Sequence, residues 1–145
     1  MGTRGIIGHV LDEHRYGLYN HNDSYPAGLG SKVLGLISNA EKVDKLKKAL
    51  SHVIYNEQVE ASTSDGFAEY CNSLDCGDGL LYALPENYIE FLDSEFCEYG
   101  YIINLDNEVL ECYQSGKLTS VIPFTTIYEH ENGQEYLIDL MENGG

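Results

Sequence analysis

The pattern of residues along the chain predicts an α+β fold: an N-terminal β-hairpin, central helices and a C-terminal antiparallel meander in a single layered domain over residues 1–145. Three observations carry this. Residues 3–21 hold two strand-like runs around a polar turn. From Ser31 the apolar spacing becomes helical. From Tyr99 it returns to short strands separated by turn residues.

The first run, Thr-Arg-Gly-Ile-Ile-Gly-His-Val over residues 3–10, reads as a strand. A polar turn follows from Leu11 to Arg15, and Tyr16 to His21 reads as the returning strand. Ile6 and Ile7 are neighbours, so they point to opposite faces of a strand. A strand that is apolar on both faces is covered on both sides, which is the reason to expect layers.

After Gly30, Ser31 is placed to cap a helix carrying Val33, Leu34, Leu36 and Ile37. Ser38 followed by Glu41 has capping-box spacing for a second helix. Val43, Leu46, Leu50, Val53 and Ile54 continue the helical period, with Lys42, Lys45, Lys47 and Lys48 on or near the solvated side. Residues 55–65 read as a loop or short strand, and Phe67 to Leu74 as a short helix ended by Cys76-Gly77-Asp78-Gly79. Pro85 and Glu86 open another helix through Phe96, with Ile89, Leu92 and Phe96 facing the core. The meander runs from Tyr99 to Leu105, from Glu108 to Gln114 and from Leu118 to Phe124. Tyr136 to Met141 reads as a short final strand, and the last three residues as a frayed end. Repeats, linkers and a second domain are not visible.

Composition narrows the function. At 145 residues, 43% of them hydrophobic and 16 being Tyr or Phe, the chain can bury one core and is too apolar to be disordered. An apolar run approaching the ~20 residues of a membrane span is absent, so no membrane partner is expected. The N-terminus lacks the basic-then-apolar pattern of a signal peptide, and it carries Ile6 where a myristoylation motif wants Ser or Thr. The expectation is a cytoplasmic protein in which Cys71, Cys76, Cys97 and Cys112 stay reduced as structural thiols.

Charge is unevenly spread. Residues 1–50 carry seven Lys/Arg against five Asp/Glu, whereas residues 51–145 carry 19 Asp/Glu against Lys117 alone. Phosphates would be repelled by the second part, which argues against nucleic acid as its direct partner. An acidic surface of this kind suits a basic partner protein, or serves solubility alone. An antiparallel edge strand also offers a route to a homo-oligomer.

The densest polar stretch is Tyr19-Asn-His-Asn-Asp-Ser-Tyr-Pro-Ala-Gly-Leu-Gly30. Pairing the hairpin around residues 11–15 places Thr3 and Arg4 across from the neighbourhood of His21 and Asp23. Arg4 is a permanent cation with a forked donor set for carboxylate or phosphate. Imidazole is the side chain that changes protonation near neutral pH, which suits His21 to acid or base duty. Asp23 is placed to orient His21 or to balance Arg4. Tyr19, Asn20, Ser24 and Tyr25 add hydrogen-bonding groups, and Gly28 and Gly30 precede a helix where their amides can face an anion. The competing reading is a polar knot: Asp23-Ser24 as turn chemistry and Arg4–Asp23 as a buried pair.

Other chemistries find no support in the chain. P-loop, G-x-G-x-x-G and G-x-S-x-G patterns are missing, and removal of Met1 would expose Gly2, which has no nucleophile. His9, His14, His52 and His130 lack metal-ligand spacing and read as surface or turn residues. Asp75, Asp78 and Gly79 match only part of a calcium loop. Cofactors and metals are therefore not expected.

The pair Met1-Gly-Thr-Arg-Gly5 and Tyr19-Asn-His-x-Asp-Ser-Tyr-Pro-x-Gly-Leu-Gly30 resembles a family of small, largely uncharacterised proteins from bacteriophages, bacteria and fungi. The likeness is strong over about the first 30 residues, and looser over the Tyr-Ile-Ile-Asn-Leu-Asp-Asn-Glu-Val-Leu-Glu meander. The resemblance implies no particular activity. Its phage members imply a role in host takeover or counter-defence.

The expectation is thus a small protein that binds, sequesters or processes a small anionic, nucleotide-like ligand at the hairpin end. Thr3, Arg4, Tyr19, Asn20, His21, Asp23, Ser24, Tyr25, Gly28 and Gly30 form the candidate site. His21, Arg4 and Asp23 are the catalytic candidates if there is turnover. The alternative is an acidic interaction protein that blocks a basic site on a host protein.

Overall fold

The computed structural model describes residues 3–51, 54–55, 83–84, 87–130 and 133–144. Strands β1 (Gly5–Leu11) and β2 (His14–Asn20) form the expected hairpin, with Gly5 opposite Asn20 and Leu11 opposite His14. Asp12 and Glu13 make a two-residue turn with φ of 53° and 67°. Positive φ at both turn positions matches the twist of the flanking strands, but side chains other than Gly pay for it in sterics. The Asp106 carboxylate offsets that cost: it accepts the amides of Asp12 and Glu13, each at 2.8 Å.

A five-stranded sheet follows in the order β2-β1-β5-β6-β7, with β5 (Tyr99–Asn104), β6 (Val109–Gln114) and β7 (Lys117–Pro123) forming the antiparallel meander. β1 pairs with β5 in parallel, from Gly5 opposite Tyr99 to Val10 opposite Asn104. Short strands β3 (Ile54–Tyr55) and β4 (Ala83–Leu84) pair separately. The fold is α+β, with the hairpin at one side of the sheet and the meander at the other.

All seven residues of β1 are buried, and its alternation builds two cores. Ile7 and Leu11 join the large core on one face of the sheet with Tyr101, Ile103, Leu110 and Cys112. That face is covered by helices α1 (Ser31–Leu36), α2 (Ala40–Ser51), α3 (Phe124–Glu129) and α4 (Gly133–Ile138). Val33, Leu46, Phe124 and Leu137 are their buried contributions. Ile6 and Val10 face the other way, where Leu92, Cys97 and Ile102 complete a smaller core. A short 3-10 segment, Ile89–Asp93, covers part of this second face.

Several elements differ from expectation for identifiable reasons. The cap of α2 is Asn39 rather than Ser38: its Oδ1 accepts the Lys42 amide at 2.9 Å. Ser31 does not cap α1, because a π-helical turn, Pro26–Gly30, runs straight into it and Ser31 Oγ bonds back to the Ala27 carbonyl at 3.0 Å. Ile54 lies in β3 and not in α2. The expected strand Tyr136–Met141 is helical, continuing from α4 into a π-helical stretch, Asp139–Gly144; Leu137 and Met141, four apart, share one buried stripe. Residues 87–96 contain only the 3-10 segment, and Phe96 lies on the surface, 58% exposed, instead of in the core. Phe124, expected to end the last meander strand, instead opens helix α3 after Pro123. Phe67–Leu74, Cys71, Cys76, Asp75, Asp78, Gly79, Pro85 and His52 lie outside the described residues.

Gly5 sits where the loop after β2 crosses β1. A methyl group there would run into the Tyr99 carbonyl oxygen and come within 2.6 Å of Ser24 Cβ. Both are backbone-fixed, so neither can yield cheaply. Gly5→Ala should therefore lower unfolding stability by about 1–3 kcal/mol in a urea titration. An unchanged midpoint would contradict this packing.

Candidate functional site

β2 ends at Asn20, whose side chain turns the following loop back on itself. Its Nδ2 donates to the Asn22 carbonyl at 2.7 Å and to Ser24 Oγ at 2.9 Å. Ser24, fully buried, donates in turn to the Asn20 carbonyl at 3.2 Å. The Ser24 amide bonds the Thr3 carbonyl at 3.2 Å, and the Tyr101 hydroxyl, coming up from β5, donates to the Ser24 carbonyl at 2.9 Å. Asp23 takes a left-handed backbone (φ 57°), and its carbonyl accepts the Leu29 amide at 2.8 Å. This part of the stretch is a polar knot.

The two glycines belong to the same knot. The amides of Gly28 and Gly30 both donate to the Tyr25 carbonyl, at 2.9 and 3.4 Å, so they do not face an anion as expected. Their lack of side chains serves packing: a Cβ on Gly28 would meet the Asp23 carbonyl, and one on Gly30 would meet Leu137 and the Tyr101 ring. Thr3, Asn20, Ser24, Gly28 and Gly30 thus contribute polar groups to holding the loop.

Arg4 and Tyr19 are half-buried, and His21, Asp23 and Tyr25 are exposed. Arg4 and His21 both lie one step beyond Gly5–Asn20, the last pair of the hairpin. Tyr19 Oη and His21 Nδ1 are 2.8 Å apart. Burial raises the Tyr19 pKa, with Cys97 and Glu98 adding to the rise and Arg4 opposing it. The phenol is therefore protonated at neutral pH, and its hydroxyl can donate to Nδ1 in the tautomer that carries the ring proton on Nε2. Asp23 does not complete this arrangement. It is exposed, and the ion pair among the described residues joins Arg15 to Glu111 rather than Arg4 to Asp23. The buried Arg4–Asp23 pair is not formed.

The partners of the exposed set come from far along the chain. The Glu98 amide donates to the Arg4 carbonyl at 3.0 Å and the Tyr88 amide to the Gly17 carbonyl at 2.8 Å, which ties residues 88–98 to both hairpin strands. The Arg4 guanidinium lies over the Phe96 ring, 5.7 Å from its centroid. Tyr19 packs edge-on against Phe91 at 5.5 Å and near Tyr88 at 6.3 Å. Phe91, Tyr88 and Phe96 were not part of the sequence-predicted site, and an aromatic-rich segment, Tyr88 to Phe96, was the available signal.

A second polar cluster lies elsewhere on the same face of the sheet. Arg15 Nη2 donates to Glu111 Oε1 at 2.8 Å and approaches Tyr113 Oη at 3.3 Å. Asn104 donates to Glu111 Oε2 at 3.0 Å, and the Tyr113 hydroxyl donates to Oε1 at 2.8 Å. Burial alone would raise the Glu111 pKa, but these three donors and the charge of Arg15 hold it below the ordinary carboxylate range. Beside them opens a cavity of about 730 Å³ lined by Val10, Asp12, Glu13, Arg15, Asn104, Asp106 and Asn107.

Three further side chains are inert by environment. Cys97 and Cys112 are buried free thiols whose pKa is pushed up to about 12 by burial and a neighbouring glutamate, so they are not nucleophiles at neutral pH. His9 is fully buried, against the expectation of a surface residue; it stacks near Tyr16 at 5.6 Å, and burial with nearby His14 lowers its pKa to about 3. Among the described residues no group of His, Cys, Asp and Glu is assembled to hold a metal ion. Comparison of the chain with protein-family models, with curated proteins and with solved structures gives no match.

The division between knot and exposed set is measurable. Ser24→Ala should cost about 1–3 kcal/mol, because it strips a buried donor and acceptor from Asn20. Arg4→Gln and His21→Gln should stay within about 0.5 kcal/mol of wild type. Acidification gives a second check. His9 is charged near pH 6.5 when unfolded but resists protonation to about 3 when folded. Its contribution is complete above pH 6.5 and declines as pH falls below it, by at most about 1.4 kcal/mol per pH unit. Glu111, with its folded pKa depressed, adds a further loss once pH falls into the ordinary carboxylate range and below. His9→Leu should flatten the stability profile between about pH 6.5 and 5, where carboxylates do not yet titrate. An unchanged slope would contradict a neutral buried His9.

Proposed function

We propose that this protein binds a small anionic ligand at the open end of the β1–β2 hairpin. The observation that carries the reading is the Tyr19–His21 contact at 2.8 Å with the charge of Arg4, just beyond the last hairpin pair, acting on Tyr19. These three polar side chains remain accessible while Asn20 and Ser24 beside them are buried in the loop's own hydrogen bonds. Arg4 supplies charge and a forked donor set, and His21 Nε2–H supplies a further donor. Tyr25 and Asp23 border the site. If the ligand is processed rather than held, His21 is the acid or base, with Tyr19 setting its tautomer, and Arg4 stabilises developing negative charge.

Sequestration in the cytoplasm of an infected cell is the biological setting this reading fits, in line with the counter-defence role that the resemblance to phage proteins implies. The chain as a whole carries a net charge of −16, so one arginine attracts an anion only at short range and in a salt-dependent manner.

Amide NMR titration with inorganic pyrophosphate tests the proposal. Shifts should concentrate at residues 4, 19, 21 and 25, and affinity should fall at least tenfold in folded Arg4→Ala and His21→Ala variants. An absence of shifts at millimolar pyrophosphate, or global unfolding of both variants, would overturn it.

A further inference from the structure

Resting on that reading, we infer that the ligand carries an aromatic ring together with its negative charge, and is of the mononucleotide class. The structural basis is the surface on which Arg4 sits. Phe96 is 58% exposed even with the guanidinium above it, and Tyr88, 6.3 Å from Tyr19 between ring centroids, is 36% exposed. A polar centre of Arg4, Tyr19 and His21 therefore has the exposed Phe96 ring and the partly exposed Tyr88 ring beside it.

Phe96 is held in this position by its local backbone. Its amide donates to Ser94 Oγ at 3.1 Å, and the Cys97 amide closes the turn onto the Ser94 carbonyl at 3.0 Å. Cys97 next to it is fully buried, which anchors the turn in the smaller core. The ring is thus presented from a pinned turn.

The chemistry that fits this surface is a planar ring joined to a phosphate. A phosphate alone would engage Arg4 and leave the Phe96 ring in water. A nucleobase stacks on aromatic side chains or on a guanidinium plane, and such stacking is worth about tenfold to a hundredfold in affinity by truncation. Stacking also does not depend on net charge. In a chain as acidic as this one, it supplies affinity that a single cation cannot.

Titration of the intact protein with adenosine 5′-monophosphate, ribose 5-phosphate and inorganic pyrophosphate, followed by calorimetry or amide NMR, tests the inference. The monophosphate nucleotide should bind at least tenfold more tightly than ribose 5-phosphate. Phe96→Ala, a surface substitution expected to leave the fold intact, should erase that difference. Equal affinity for the two phosphates in the wild type, or an unchanged nucleotide affinity in folded Phe96→Ala, would overturn the ring requirement while leaving the anion site standing. Failure of all three compounds to bind would remove the anion site and this inference with it.

Discussion

The seat of Ser24 is the constraint on which the hairpin end depends. A fully buried hydroxyl lies against the bare Cα of Gly5, with Asn20 bonded to it and Tyr101 holding the carbonyl of the same residue. A buried polar group without partners is costly, so this seat is stable only when Gly5, Asn20 and Tyr101 are all in place. Tyr101 belongs to β5, so the loop is fastened to the sheet's interior and not merely to its own hairpin. That fastening presents Tyr19 and His21 together at the rim, with Arg4 at the same end of the hairpin.

β1 supplies the second constraint. It is flanked by strands on both sides and packed against a core on both faces, and Ile6 and Ile7 divide those cores between them. The larger core carries the helices. The smaller one carries the aromatic segment that reaches Arg4, so the same strand supports both the stability of the molecule and the shape of its candidate site. The Arg15–Glu111–Asn104–Tyr113 cluster lies on that second face, where partial burial is tolerated because every charge has a hydrogen-bonded partner.

Much of this was legible in the residues, because local rules act over short distances. Adjacent isoleucines require a strand covered on both faces, and a tight turn near residue 12 brings the start of β1 beside the end of β2 without any further information. Parity along β1 also places His9 on the same face as Ile7 and Leu11, a signal that its surface assignment overlooked. What was not legible depends on sheet order or on ambiguous short windows. Arg15 and Glu111 meet because β1 and β5, in parallel, lie between their strands, and no local pattern encodes that pairing. Tyr136 to Met141 offers too few residues to separate a strand period from a helical one. Phe96 was assigned to the core as a continuation of Ile89 and Leu92, but the 3-10 segment ends at Asp93 and releases it to the surface. Gly28 and Gly30 matched an anion-binding turn in composition, yet their amides are consumed by Tyr25.

The central claim is that the hairpin end separates a structural knot from an exposed ligand-binding set. Native mass spectrometry of the protein purified gently from its own cellular setting, beside Arg4→Ala prepared identically, tests it most directly. The account predicts a small additional mass on the wild type that is missing from a folded variant. The same additional mass on both proteins would place the ligand elsewhere and contradict the claim.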